Sequence, residues 1–304
     1  MAEGQIPSLS GGSQETLPLS TVSDAIAEAA RLLSQHGISQ SRFEAEVLLA
    51  KVMVTSRTSF YTWPEQSLTA EQQSLYRELL RRRAEGEPVA YLCGEKEFFS
   101  LRLLVNRSVL IPRPETEHVV ETALGHLGRV AEAGREPIFF DVGTGCGAIA
   151  VALLVNLPGC RAIASDVSGA ALDLARQNAQ RHGVADRLRL IEGDLFGGFK
   201  EKVDAVVSNP PYVGEDERDL LPREVRDFEP PEALFAGQDG LTVIRRLIEQ
   251  SPVRLAAGGA LIFEIGYGKD RAVRQLLEAD RRWSEIEIRA DLAGIPRVVF
   301  AQLA

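Results

Sequence analysis

With 304 residues, 45% of them hydrophobic and 25% charged, the chain has enough apolar material for one large domain and a small one beside it. No run approaches the roughly 18 apolar residues of a membrane span, and the first positions lack a secretory signal's basic stretch and apolar core, so a cytoplasmic monomer without a membrane partner is expected. A net charge of -9 repels phosphate backbones, arguing against a stable nucleic-acid partner, while the spacing of Cys93, Cys146 and Cys160 and of the histidines argues against a disulfide framework or a metal.

Residues 1–18, rich in Gly, Ser, Gln and Pro without an apolar period, are expected to be a mobile tail. A helical domain is predicted over 19–87. Val22, Ile26, Ala29 and Leu33 recur at helical spacing and Gly37 is placed to stop that helix. Ser41 with Glu44, and Thr69 with Gln72, have capping-box spacing ahead of two further helices. The run Arg81-Arg82-Arg83 reads as a solvated complement to a helix C-terminal dipole.

Over 88–110 the helical period gives way to β-type residues, and segments 95–99 and 102–105 around Ser100-Leu101 predict a hairpin linker. The remainder, 111–304, opens with a predicted helix near 117–130. Apolar strands at 138–142, 162–166, 188–192, 205–208 and 260–265 then alternate with helical stretches, which specifies an α/β domain with a mostly parallel sheet. Two β segments, 286–289 and 297–301, are separated only by a short loop and fit an antiparallel pair at the sheet edge.

Two segments carry chemistry. The first predicted strand runs into Gly143-Thr144-Gly145-Cys146-Gly147 and then a helix, an arrangement that brings backbone close to a ligand at a helix N-terminus. Asp166 ends the second strand, where a carboxylate can accept from ribose hydroxyls. Together they point to a nucleoside-bearing cofactor. The residues alone leave its identity open, but G-x-G-x-G spacing resembles the loop of S-adenosylmethionine methyltransferases more than the G-x-G-x-x-G of a pyrophosphate site. Asp194 and Leu195, after the third strand, are positioned to meet an adenine ring or to form an ordinary loop.

The second segment, Ser208-Asn209-Pro210-Pro211-Tyr212, follows the fourth strand at the edge where such sheets bind ligands. The Asn209 side-chain oxygen and the Pro210 carbonyl can both accept from one NH2 group, with adjoining prolines supplying no competing donor. Tyr212 can pack against the planar group. Such a pair orients an sp2 nitrogen for attack on a methyl group. Glu264, at the end of the fifth strand, is read either as facing the cofactor or as a structural acceptor.

With these segments in hand, the chain resembles the release factor glutamine methyltransferases over nearly everything after residue 20. Beyond Asn209-Pro210-Pro211-Tyr212, the resemblance rests on Ile111-Pro112-Arg113-Pro114-Glu115-Thr116-Glu117, Gly94-Glu95-Lys96-Glu97-Phe98-Phe99, Phe228-Glu229-Pro230, Asp239-Gly240-Leu241 and Arg297-Val298-Val299. It implies a Rossmann-like class I methyltransferase domain over 111–304, behind a helical domain over 19–87 that recognises the substrate. It further implies methylation of the glutamine of a release factor's Gly-Gly-Gln motif by S-adenosylmethionine. By position, Gly143, Thr144, Gly145, Cys146, Gly147, Asp166, Asp194, Leu195 and Asn209 would line the cofactor site. Asn209, Pro210, Pro211 and Tyr212 would hold the glutamine, with Asn209 and Pro210 acting on the reacting nitrogen. Cys146 and Leu195 depart from the residues frequent in the family. Two alternatives stay open: an N-methyltransferase for an exocyclic amino group of a nucleic-acid base, opposed by the acidic charge, and a non-catalytic adaptor, opposed by the intact glycine loop, Asp166 and Asn209.

Overall fold

A computed structural model describes residues 21–304; the tail expected over 1–18 lies outside them. The described chain divides between Glu85 and Gly86 into two compact units.

The first unit holds α1 (Val22–Gln35), α2 (Ser41–Met53), α3 (Ser59–Thr62) and α4 (Ala70–Ala84). Leu33, Leu48, Leu49 and Tyr76 are fully buried in its core, and the Tyr76 hydroxyl donates to the Ala45 carbonyl at 2.9 Å. Thr69 and Gln72 form the reciprocal capping box. The box expected at Ser41 does not form: α2 starts at Ser41 itself, its N-cap is Gln40, and Glu44 is engaged by Arg83. Arg83 is correspondingly buried, so one member of the basic run is a core ion pair and not a solvated charge.

In the second unit, a short helix α5 (Val89–Cys93) occupies part of the expected linker and precedes β1 (Glu95–Phe98) and β2 (Leu101–Leu104). The hairpin turns at Phe99-Ser100, one residue before the expected place. Both residues have positive φ, 49° and 61°, and the Phe99 N–H is held by Glu117 Oε1 at 2.9 Å. Buried Asn178 binds both backbone groups of Leu104 and also donates to the Cys146 carbonyl, tying the hairpin to the glycine loop.

The strands of the main sheet are β3 (Ile138–Val142), β4 (Arg161–Asp166), β5 (Leu188–Glu192), β6 (Val203–Ser208), β7 (Leu255–Glu264), β8 (Trp283–Ala290) and β9 (Pro296–Leu303). They lie in the order β5-β4-β3-β6-β7-β9-β8. All neighbours are parallel except those of β9, which is antiparallel to both β7 and β8. The helices α6 (Glu117–Glu132), α7 (Ala148–Asn156), α8 (Gly169–Arg181), α9 (Arg223–Phe228), α10 (Thr242–Gln250) and α11 (Asp270–Glu278) complete the unit. Two apolar clusters, one containing Phe139 and the other Phe140, cover opposite faces of the sheet. A parallel sheet buried on both faces needs near-continuous apolar strands, and Val203–Ser208 is buried throughout. From β3 the chain winds outward through β4 to β5, then returns to β6 on the other side of β3. That reversal opens a crevice beyond the carboxyl ends of β3 and β6.

Candidate active site

The crevice is a cleft whose walls are the two motifs and a strap of chain over 108–116. The first wall is the β3–α7 loop. Gly143, Gly145 and Gly147 have φ of 69°, 57° and 83°, a region costly for residues with a Cβ. At Gly143 and Gly145 an added Cβ would meet no atom within 4 Å, so the backbone there faces open cleft. Gly147 serves another purpose. It does not line the cleft, and a Cβ there would lie 3.2 Å from Ala175 Cβ, so its bareness lets α7 and α8 approach.

The loop is held from beneath. Asp141, fully buried, accepts from Thr144 Oγ1 at 2.6 Å, and burial pushes its carboxyl up to about 7. Asp166 Oδ2 accepts from the Gly145 N–H at 2.8 Å and Oδ1 from the Ser168 N–H at 3.0 Å. Burial raises its pKa and these backbone donors oppose the shift. Burial likewise pushes the Cys146 thiol up to about 12, so Cys146 borders the cleft as a neutral thiol. Asp194 and Leu195 also border the cleft. The Asp194 carboxylate is ion-paired with Arg246, while Leu195 is buried at φ 49° with its carbonyl bound by Ser165 Oγ.

The second wall is Asn209-Pro210-Pro211, which follows β6 into the cleft. Ser208 Oγ bonds the Val142 carbonyl at 2.7 Å and stitches this wall to the base of the first. Tyr212, expected to pack against the planar group, is not among the residues that line the cleft. Its ring lies against Gly266, where a Cβ would come within 2.8 Å of Tyr212 Cδ2, and its hydroxyl donates to Glu264 Oε1 at 2.9 Å. The physical reason is that a partly buried phenol hydroxyl is best satisfied by a hydrogen-bond partner, which the β7 end supplies.

Sequence reasoning assigned no role to Thr116, which borders the cleft, accepts from Asn209 Nδ2 at 2.9 Å and donates to Glu264 Oε2 at 2.6 Å. The signal for it was its position in the Pro-Arg-Pro-Glu-Thr-Glu segment. Glu264 is 1% exposed, which raises its pKa; the two hydroxyls and the charge of Arg297 oppose that shift. Of the two readings left open for Glu264, the structural acceptor is the one observed. Buried Glu229 anchors the strap by accepting from the Ile111 N–H at 3.1 Å and pairing with Arg113. Glu232, also unforeseen, lines the mouth.

Comparison with known proteins bears on this geometry. Residues 24–94 match the family described as the PrmC N-terminal domain, and 127–223 the methyltransferase small domain. A release factor glutamine methyltransferase of Rhodopirellula baltica is 41% identical over 88% of this chain and 91% of its own length. The chain belongs to the release factor glutamine methyltransferase family. Another member of that family, from Vibrio cholerae, is 38% identical, with 93% of this chain and 96% of the relative covered. Among solved structures, the catalytic domain of hMettl16, in complex with a MAT2A 3′UTR hairpin, superposes with a TM-score of 0.55 at 15% identity, covering 74% of this chain and 81% of that one. A methyltransferase from Pyrococcus furiosus gives 0.50 at 16%, covering 73% and 96%. Both share the class I methyltransferase fold.

S-adenosylmethionine is the cofactor, and the first wall fits it. The bare backbone at Gly143 and Gly145 leaves room for close approach. The Asp166 carboxylate, held by backbone N–H groups of Gly145, Ser168 and Val167, borders the cleft with acceptor capacity left for a ribose hydroxyl. Val142, Ile149 and Leu195 supply an apolar surface suited to an adenine ring.

Proposed function

We infer that the protein transfers a methyl group from S-adenosylmethionine to the side-chain amide nitrogen of the glutamine in the Gly-Gly-Gln motif of peptide chain release factors. The observation that carries this is the cleft itself, in which a nucleoside wall faces an amide acceptor whose own NH2 group is already committed to Thr116.

In this reading Gly143, Thr144, Gly145, Asp166, Asp194 and Leu195 hold the cofactor, which supplies an electrophilic methyl and departs as the thioether. Asn209 Oδ1 and the Pro210 carbonyl accept the two N–H groups of the glutamine amide and aim its nitrogen at the methyl. Transfer would form an N–C bond as the S–C bond breaks, and the nitrogen would release one proton to solvent. Carbonyl oxygens are acceptors and not bases at neutral pH, so this pair orients the nitrogen and stabilises the positive charge growing on it. Pro211 and Tyr212 fix the direction of the segment.

One amide makes few hydrogen bonds, each worth about 1 kcal/mol net, too few to select one glutamine among all those in a cell. The helical domain over 19–87 is read as the second point of attachment. Phe43, Tyr61 and Trp63 are exposed on it, with the Arg57 guanidinium 4.3 Å from the Phe43 ring centroid. Aromatic side chains with an arginine are the composition of a protein-binding surface. Attachment there raises the effective concentration of the glutamine at Asn209. The enzyme is taken to act in the cytoplasm as a monomer without stable nucleic-acid or membrane partners, in keeping with its charge of -9 and with no described helix long and apolar enough to cross a membrane.

The test compares intact release factor with a short Gly-Gly-Gln peptide by mass spectrometry. The whole factor should show a specificity constant at least about tenfold higher. Equal constants would remove the recognition role of the helical domain. Methylation of adenine in DNA or RNA, with none on the factor, would overturn the function.

A further inference from the structure

We infer that Thr116 and Glu264 are positioning residues that set which end of the Asn209 carboxamide faces the substrate. This rests on the reading of Asn209 as acceptor for the glutamine amide. The oxygen and the NH2 of a carboxamide are nearly equal in size, so packing alone does not distinguish the two orientations. They differ fully in chemistry. With the oxygen outward, Asn209 accepts from the glutamine NH2; turned over, it would oppose one donor with another.

The choice is made behind the cleft. Thr116 has one hydroxyl proton, and it goes to Glu264 Oε2 at 2.6 Å. The Thr116 oxygen is left as an acceptor and takes the Asn209 Nδ2 donor at 2.9 Å. Ionised Glu264 cannot reverse this direction, because its other oxygen already accepts from the Tyr212 hydroxyl at 2.9 Å and a carboxylate has no proton to return. Burial raises the Glu264 pKa and Glu115 adds to that, while the Thr116 and Tyr212 hydroxyls and the Arg297 cation oppose the shift and favour the ionised form. Thr116 is 3% exposed and Glu264 1%, so water does not compete for either. Glu264 thereby holds both ends of the Asn-Pro-Pro-Tyr segment, Tyr212 directly and Asn209 through Thr116. These contacts span 93 and 148 residues of sequence, so the direction of a catalytic amide is set from two remote segments.

Thr116→Val removes the hydroxyl without changing shape, and Thr116→Ser keeps it. Glu264→Gln keeps the shape but replaces one of the two acceptors, the one facing Thr116 or the one facing Tyr212, with a donor. With the full-length enzyme and intact release factor, kcat should fall about 10- to 100-fold in Thr116→Val and Glu264→Gln. The KM for the factor and the affinity for S-adenosylmethionine should stay within about twofold, because a turned amide loses the oriented attack and not the bulk of binding. Thr116→Ser should keep kcat within about threefold of wild type. In the wild-type enzyme labelled with 15N-asparagine, the Asn209 side-chain NH2 protons should exchange slowly with solvent. Thr116→Ser should retain that protection and Thr116→Val should lose it. The inference is overturned if Thr116→Val keeps its kcat, if Thr116→Ser falls as far as Thr116→Val, or if the wild-type Asn209 protons exchange at the rate of free asparagine. A wild-type enzyme that leaves the factor unmethylated would instead overturn the reading of function.

Discussion

The glycine wall of the cleft is built largely from neighbours in sequence. Asp141 holds Thr144 three residues on, Asp166 holds Ser168 two residues on, and Asp166 reaches Gly145 across 21 residues and Asn178 reaches Cys146 across 32. The Asn209 wall is built otherwise, since its side chain is oriented by Thr116 from 93 residues away and Thr116 by Glu264 from 148. A ligand that must be gripped, whatever its reactivity, is served by a contiguous loop of backbone donors at a helix N-terminus. A nitrogen that must be aimed needs a rigid acceptor, and rigidity comes from packing and hydrogen bonds between segments that only the fold brings together.

If the walls are separable in this way, a substitution on one should leave the other's observable nearly untouched. The largest effect is expected from Asn209→Ala. Turnover should fall about a hundredfold or more, as with loss of one transition-state hydrogen bond. Cofactor affinity measured by calorimetry should change only slightly, and turnover retained near the wild-type level would show that other groups aim the nitrogen.

Asp166→Ala should do the converse. Removing the ribose acceptor should weaken S-adenosylmethionine binding by about 2 to 4 kcal/mol. Turnover at saturating cofactor should fall much less, and unchanged calorimetric affinity would remove Asp166 from the cofactor site.

A smaller effect, on stability, sharpens the account of the first wall. Asp141 is fully buried and burial raises its carboxyl from 3.8 to about 7. Between those values the folded state binds more protons than the unfolded, so this group's contribution to stability falls as pH rises through the window. Asp141→Asn cannot ionise. The wild type should lose on the order of 2 kcal/mol relative to that variant between pH 5 and pH 7, since each unit is worth about 1.4 kcal/mol. Parallel denaturation midpoints across that range would show that Asp141 is not held protonated.

Short-range features of the molecule were legible before any coordinates. The strand over 138–142, the glycine loop after it, Asp166 at the end of the next parallel strand and the terminal antiparallel pair follow from apolar period and from glycine at positions that need positive φ. The capping box at Thr69 is equally local, and it forms. The box at Ser41 has the same spacing yet fails, because Glu44 is engaged by Arg83, 39 residues on in α4. The sequence places Tyr212 beside the glutamine, and only the fold shows that a buried acceptor on β7 takes its hydroxyl. Gly147 was read with the loop it ends, while its role is contact with Ala175 on the following helix.

The sequence by itself thus determined the fold class and the cofactor, and it marked the residues proposed as cofactor wall and amide acceptor, since each depends on residue types at fixed spacing along one strand, turn or helix. Only the tertiary structure decided how that acceptor is turned. The direction of a carboxamide depends on which atoms stand behind it, and Thr116 and Glu264 reach Asn209 only once the sheet order sets β6 beside β7 and the strap lies across the cleft. No local period or propensity encodes a contact that closes a loop of this length.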